Sequence, residues 1–138
     1  MPNRIRVYVS MVVLMAVAAF AAIVFVVPIE QAPWQFFLFL SLMGVLAEAI
    51  TLNHSKSATS SIASVPFHAL ALISPNWAAL AAITAAAIVA QTMRRLGWLK
   101  GAFNVAQTSL AAATAIAAYW LLGGHTLQSF QNTSFLEV

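Results

Sequence analysis

The chain has 138 residues, 62% of them hydrophobic and 7% charged, with six Lys/Arg against three Asp/Glu and no cysteine. A soluble globular domain carries roughly 25% charged residues, so water is not the main solvent for this composition. Six cations are too few to grip a nucleic acid, and the absence of thiols excludes disulfides, thiolate metal sites and cysteine nucleophiles.

Residues 7–27 run for 21 positions without a charge and end at Pro28. At about 1.5 Å per residue they cover the roughly 30 Å hydrocarbon core of a bilayer. The preceding "MPNRIR" is similar to the basic start of a signal peptide, yet the apolar run exceeds the usual length of about 7–15 residues, so retention as an anchor is expected. A second run, Trp34 to Ile50, is interrupted only by Gln35, Ser41 and Glu48, and the short connection "PIEQAP" turns it back into a hairpin with the first. After the polar stretch "TLNHSKSATSS" comes "IASVPFHALALI", twelve residues that contain Pro66 and are short for a span. Counting Ser57 to Ser61 lengthens it to about seventeen, the lower limit for crossing; otherwise it is re-entrant or partly extended. The fourth run, Trp77 to Ala90, follows Pro75 and Asn76, a helix-start signal, and the fifth, Ala102 to Leu122, stops at Gly123 and Gly124. The expected fold is all-α, a polytopic transmembrane bundle of about five spans over residues 1–124 with a short, breakable third segment, and a polar tail over 125–138.

If every segment crosses, Arg4, Arg6, Lys56, Arg94, Arg95 and Lys100 all fall on one side, which predicts a multi-pass protein with a cytoplasmic N-terminus. Trp34, Trp77, Tyr119 and Trp120 then mark the outer interface, and Tyr8 and Trp98 the inner one. The cluster Arg94, Arg95, Lys100 reads as a topology anchor touching anionic headgroups, worth about 1 kcal/mol per cation.

Three polar features stand out within the apolar segments. Glu48, near the inner end of the second segment, is a costly intramembrane carboxylate, and Asn104 and Gln107, spaced i, i+3 at similar depth on the fifth, are candidates to bond it. His68 lies near mid-bilayer beside Pro66, whose missing N–H would free a backbone carbonyl; it either bonds a neighbouring helix or contacts a ligand, pigment or haem. The three histidines do not converge, so no metal site and no resident cofactor are expected. Ala78, Ala82, Ala86 and Ala90 recur every fourth residue, and Gly101, Ser109, Ala113 and Ala117 make a similar stripe, both fitted to close helix packing. There is no Asp, no GxSxG elbow and no glycine-rich phosphate loop, which argues against an enzyme.

At "RRLGWLKGAFNVAQTSLAAATAIAAYWLLGG" the chain resembles a membrane-associated sensor domain of the MASE type, found ahead of HD-GYP or GGDEF output domains in bacterial cyclic di-GMP signalling. The carrying features are the basic turn, the "FNVAQ" opening at Phe103, Asn104 and Gln107, the closing Gly123 and Gly124, and the small-polar stretch "KSATSSIASVPFHALALISPNWAALAA" upstream. The resemblance covers roughly Ile50 to Gly124 and implies a bacterial inner membrane. Such modules continue into a further helix and a catalytic domain, so this chain is expected to be either the membrane portion of a longer signalling protein or a stand-alone relative, and no second-messenger chemistry carries over.

The expectation is therefore a non-catalytic integral membrane sensor or anchoring module. Its partners are the lipid bilayer and, through helix faces, other proteins or a second copy. The alternatives are an accessory subunit of a larger membrane complex, serving redox, light-harvesting or transport work, and a small substrate-binding transport component.

Overall fold

The computed structural model describes residues 3–27, 34–54, 64–94 and 97–123, without the side-chain surroundings of Phe36, Ser64 and residues 48–54. Among these the backbone is all helical, with α1 (Asn3–Val26), α2 (Trp34–His54), α3 (Ser64–Ile73), α4 (Trp77–Met93) and α5 (Trp98–Leu121) and no strand. Arg and Lys cost a helix little, so α1 and α5 start inside their basic flanks rather than at the first apolar residue.

Local chemistry sets the remaining helix ends. The Asn76 side-chain oxygen accepts from the backbone N–H of Ala78 and Ala79 at 3.0 and 3.1 Å and caps α4. Gly123 takes φ +75°, a conformation that glycine adopts without strain, and ends the turn after α5. Within the described residues Pro66 does not interrupt the third segment: it is the third residue of α3, inside the first turn, where a missing N–H leaves no intrahelical bond unmade. With ten residues α3 reaches about 15 Å, half a hydrocarbon core.

The most extensive interface joins the first helix to the last. Helices α1 and α5 run parallel, since Tyr8 and Phe103 near their N-termini have ring centroids 5.9 Å apart while Ile23 and Ile116 share one core near their C-termini. Helix α4 lies antiparallel along α5, and α2 packs on α3 and α4. Helices α1 and α2, expected to be joined as a hairpin, pack little on each other. Each has its main neighbours elsewhere, α1 on α5 and α2 on α3 and α4, and the small residues of α4 and α5 let a backbone approach.

The core gathers Ile23, Phe67, Leu70, Ala71, Leu80, Ile83, Ala113 and Ile116, with Phe37 and Leu40 of α2 packed against it. Close approach is tightest where α2 meets α3. A Cβ built on Gly44 would lie 2.8 Å from Cζ and 3.0 Å from Cδ1 of the buried Phe67 ring and nearer still to its Cε1. Only a residue without a side chain leaves that ring room.

Outside the core the surface is apolar on a scale unusual for a water-soluble chain. Leu14, Val17, Phe25, Leu38, Phe39 and Leu42 are all exposed, Phe25 to 88%. Helix α1 is long and apolar enough to cross a membrane, and only 17% of its most apolar 18-residue window is buried. Among the described residues no other stretch meets both requirements: Phe37–Ala47, the longest part of α2 with described side chains, and α4 are apolar but shorter.

Candidate functional site

Helices α1 and α4 both pack on α5 but barely touch each other. Between them opens a groove of about 670 Å³, floored by α5 and walled by Val13, Val17 and Phe20 on one side and Ile88 on the other, with Val105 and Ala106 beneath. Small residues make this hollow, since Ala16, Ala21, Gly101, Ala102 and Ala106 occupy positions where larger side chains would fill it. Polar atoms enter it from Thr84, Gln91, Thr92 and Ser109, and Trp98 stands at one end.

Three polar rungs hold α4 to α5 beside this groove. At the Trp98 end Asn104 Nδ2 donates to Gln91 Oε1 at 3.1 Å. Midway, the hydroxyls of Thr84 and Ser109 lie 2.9 Å apart. Each also reaches a carbonyl of its own helix, Leu80 at 2.8 Å and Val105 at 2.9 Å. Two protons serve three bonds, so making the interhelical bond releases one intrahelical bond.

At the far end Trp120 Nε1 donates to the Pro75 carbonyl at 2.6 Å. That carbonyl belongs to a buried polar knot in which Asn76 Nδ2 donates to Ser74 Oγ at 2.9 Å and Ser74 N–H to the Leu70 carbonyl at 3.1 Å. No described side chain of this connection leaves a buried polar atom without a partner, in keeping with the rule that buried polar atoms are bonded.

The cations form the electrostatic half of the site. Arg4 and Arg6 begin α1, Lys100 is in the first turn of α5 and Arg94 caps the end of α4, so these four share the Trp98 end of the bundle. Helices α1, α4 and α5 themselves contain no acidic residue. Lys56 and Arg95 lie outside the described residues, as do Gly124 and the 125–138 tail.

The expected trio of Glu48, Asn104 and Gln107 falls partly outside the described side chains. Asn104 is half-buried against α4 and bonded to Gln91, Gln107 is exposed, and the Glu48 side chain lies outside what is described. The main neighbours of α2 are α3 and α4, and those of α5 are α1, α3 and α4. His68 is on the exposed side of α3 and does not line the groove; His54 and His125 lie outside the described side chains. No group of three metal-capable side chains occurs among the described residues. Along the alanine stripe Ala86 and Ala90 are buried, Ala82 packs on the core and Ala78 is half-buried.

Gln91, Thr84 and the groove itself were missed from sequence, although a signal was present. In a helical hairpin turning at Gly97, residues equidistant from the turn face each other, and Gln91 and Asn104 lie six before and seven after it. Thr84 and Ser109, thirteen before and twelve after, repeat the pattern. No family model matches the chain, and neither the curated proteins nor the solved structures contain a match to it.

Proposed function

We propose that the chain is a non-catalytic, multi-pass module of a bacterial cytoplasmic membrane, with its N-terminus cytoplasmic, that senses or anchors through helix displacement. The observation carrying this reading is the exposure of α1 and α2. Large apolar side chains surround both helices, and most of the most apolar window of α1 faces outward, where a core helix of a soluble protein would be mostly buried. Gathering of Arg4, Arg6, Arg94 and Lys100 at one end of the bundle supports the proposed orientation. The sensor assignment draws on the resemblance of residues 50–124 to MASE-type domains and on the weak contact of α1 with α4. A signal that separates or joins those two helices has to supply only a few kcal/mol of difference between two packings to shift the population.

Absence of native cysteine makes the test direct. Arg4→Cys, Lys56→Cys, Lys100→Cys and Leu122→Cys, each alone, are exposed to a membrane-impermeant maleimide in intact cells and again after permeabilisation. Leu122→Cys is expected to react in intact cells and the other three only after permeabilisation, with all four chains retained in the alkaline-carbonate pellet. A chain that remains monodisperse in buffer without detergent, or Lys56→Cys and Arg4→Cys reacting from opposite sides, overturns the proposal.

A further inference from the structure

Among the described residues, no ionisable side chain lines the groove between α1, α4 and α5. None of the four cations at the Trp98 end belongs to its walls, so a charged occupant would give up its hydration with no counter-charge to replace it. The groove therefore suits a neutral molecule. Its volume of about 670 Å³ falls within the roughly 300–1,000 Å³ of small-molecule sites, and apolar walls with a few polar groups are the usual composition of such sites. A dry cavity of about 150 Å³ admits benzene, or about 25 Å³ per carbon, which gives the groove room for on the order of two dozen carbons.

The rung of Thr84 and Ser109 discriminates among neutral molecules. Both residues line the groove, and their hydroxyls stand 2.9 Å apart while reaching the Leu80 and Val105 carbonyls at 2.8 and 2.9 Å. Each hydroxyl has one proton and two acceptor lone pairs. Both protons are committed within these three bonds, and of the four lone pairs the rung itself uses at most one. What the rung lacks is a donor. An alcohol or phenol entering the groove supplies it, whereas an ether, ketone or ester brings only a further acceptor. Ser109 is 4% exposed, so water has little access to the same lone pairs. We infer that the groove binds one neutral, membrane-dissolved alcohol or phenol, with its hydroxyl donating to the Thr84–Ser109 rung and its apolar body lying between α1 and α4 toward Trp98. Eleven residues of α5 separate Ser109 from Trp98, about 16 Å, which sets the length of that body. This rests on the membrane reading above and adds a ligand class to it. A molecule in this position keeps α1 apart from α4 and so favours the separated packing of the bundle.

The test uses the full chain in phosphatidylcholine nanodiscs, after carbonate extraction has shown that it is membrane-integrated. The probe is 4-octylphenol with a photoactivatable diazirine near its chain end, and cross-links are mapped by mass spectrometry. Labelling is expected at Thr92 and Trp98 well above that at Phe25 and Leu38, which face outward. Plain 4-octylphenol should displace the probe at about one fifth of the membrane concentration that its methyl ether needs, the worth of one hydrogen bond. The permanently charged 4-octylbenzenesulfonate should leave the probe in place over the same range. Thr84→Val together with Ser109→Ala should erase the difference between phenol and ether while the ether displaces as before, a pattern that general loosening of the bundle does not produce. Ala102→Phe should remove labelling at Thr92 and Trp98 while leaving that at Phe25 and Leu38 unchanged. Equal displacement by phenol and ether in the native chain, displacement by the sulfonate, or groove labelling no greater than at Phe25 and Leu38 overturns the inference while the membrane reading stands. So do cross-links from groove residues to a second copy, which assign the groove to protein. Loss of the chain from the carbonate pellet overturns both readings together. If the double variant fails to fold, the three competitors on the native chain still decide.

Discussion

Gly44→Ala tests the packing of α2 on α3 through a single added methyl. In an exposed helix the change gains about 1 kcal/mol in backbone propensity. Here the new Cβ would stand 2.8 Å from Cζ and 3.0 Å from Cδ1 of Phe67, whose ring is 6% exposed within the core. Forcing an additional methyl into a filled site costs about 1–3 kcal/mol. The two effects leave a net loss of about 0–2 kcal/mol for Gly44→Ala in the native chain. In a Phe67→Leu background the ring edge is gone and the same substitution should become a gain of up to about 1 kcal/mol. Reversible unfolding in mixed detergent micelles, followed by helical circular dichroism for all four members of the cycle, measures the difference. The coupling is expected at about 1–3 kcal/mol, well outside the roughly 0.5 kcal/mol of independent sites. Equal effects of Gly44→Ala in both backgrounds would refute the idea that the absent side chain exists to admit the Phe67 ring.

Three further substitutions address the polar knot and the helix seams. Asn76→Ala removes the cap of α4 and leaves the Ser74 hydroxyl without its amide donor, and a loss of about 1–3 kcal/mol is expected in the same unfolding assay. Trp120→Phe keeps the ring but deletes the donor to the Pro75 carbonyl, for about 1 kcal/mol and a Tm lower by several degrees, with the helical spectrum unchanged. Ser41→Ala should stabilise, by on the order of 1 kcal/mol, because among the described residues the Ser41 hydroxyl is enclosed and meets no partner; a loss of stability there would mean that the hydroxyl is bonded.

Helix ends were readable because they depend on neighbours in the chain. Asn76 before an apolar run and Gly123 after one have local roles that carry into the fold unchanged. The role of Pro66 was less legible, since its effect depends on where the helix begins and the polar stretch before it gave no clear start. The partners of each helix could not be read. A helix with apolar residues on every face carries no polar stripe to mark its outer side, so α1 gave no indication that it lies on α5. Asn104 and Gln107 show the limit at the level of one turn. They are neighbours on the helix surface, yet the seam with α4 takes Asn104 and leaves Gln107 outside it. Pairing polar residues across the Gly97 turn uses geometry that the sequence does contain, and it finds Gln91 and Thr84 where a search for carboxylates did not.

The parallel contact between α1 and α5 has a consequence for how the chain is made. Ribosomal synthesis delivers α1 first and its principal neighbour last, with more than seventy residues translated between Val26 and Trp98. Until then the first helix lacks its main partner while α2, α3 and α4 emerge. Completion is therefore a late ring closure, and a ribosome stalled before residue 98 releases a chain whose first helix has nothing to close against.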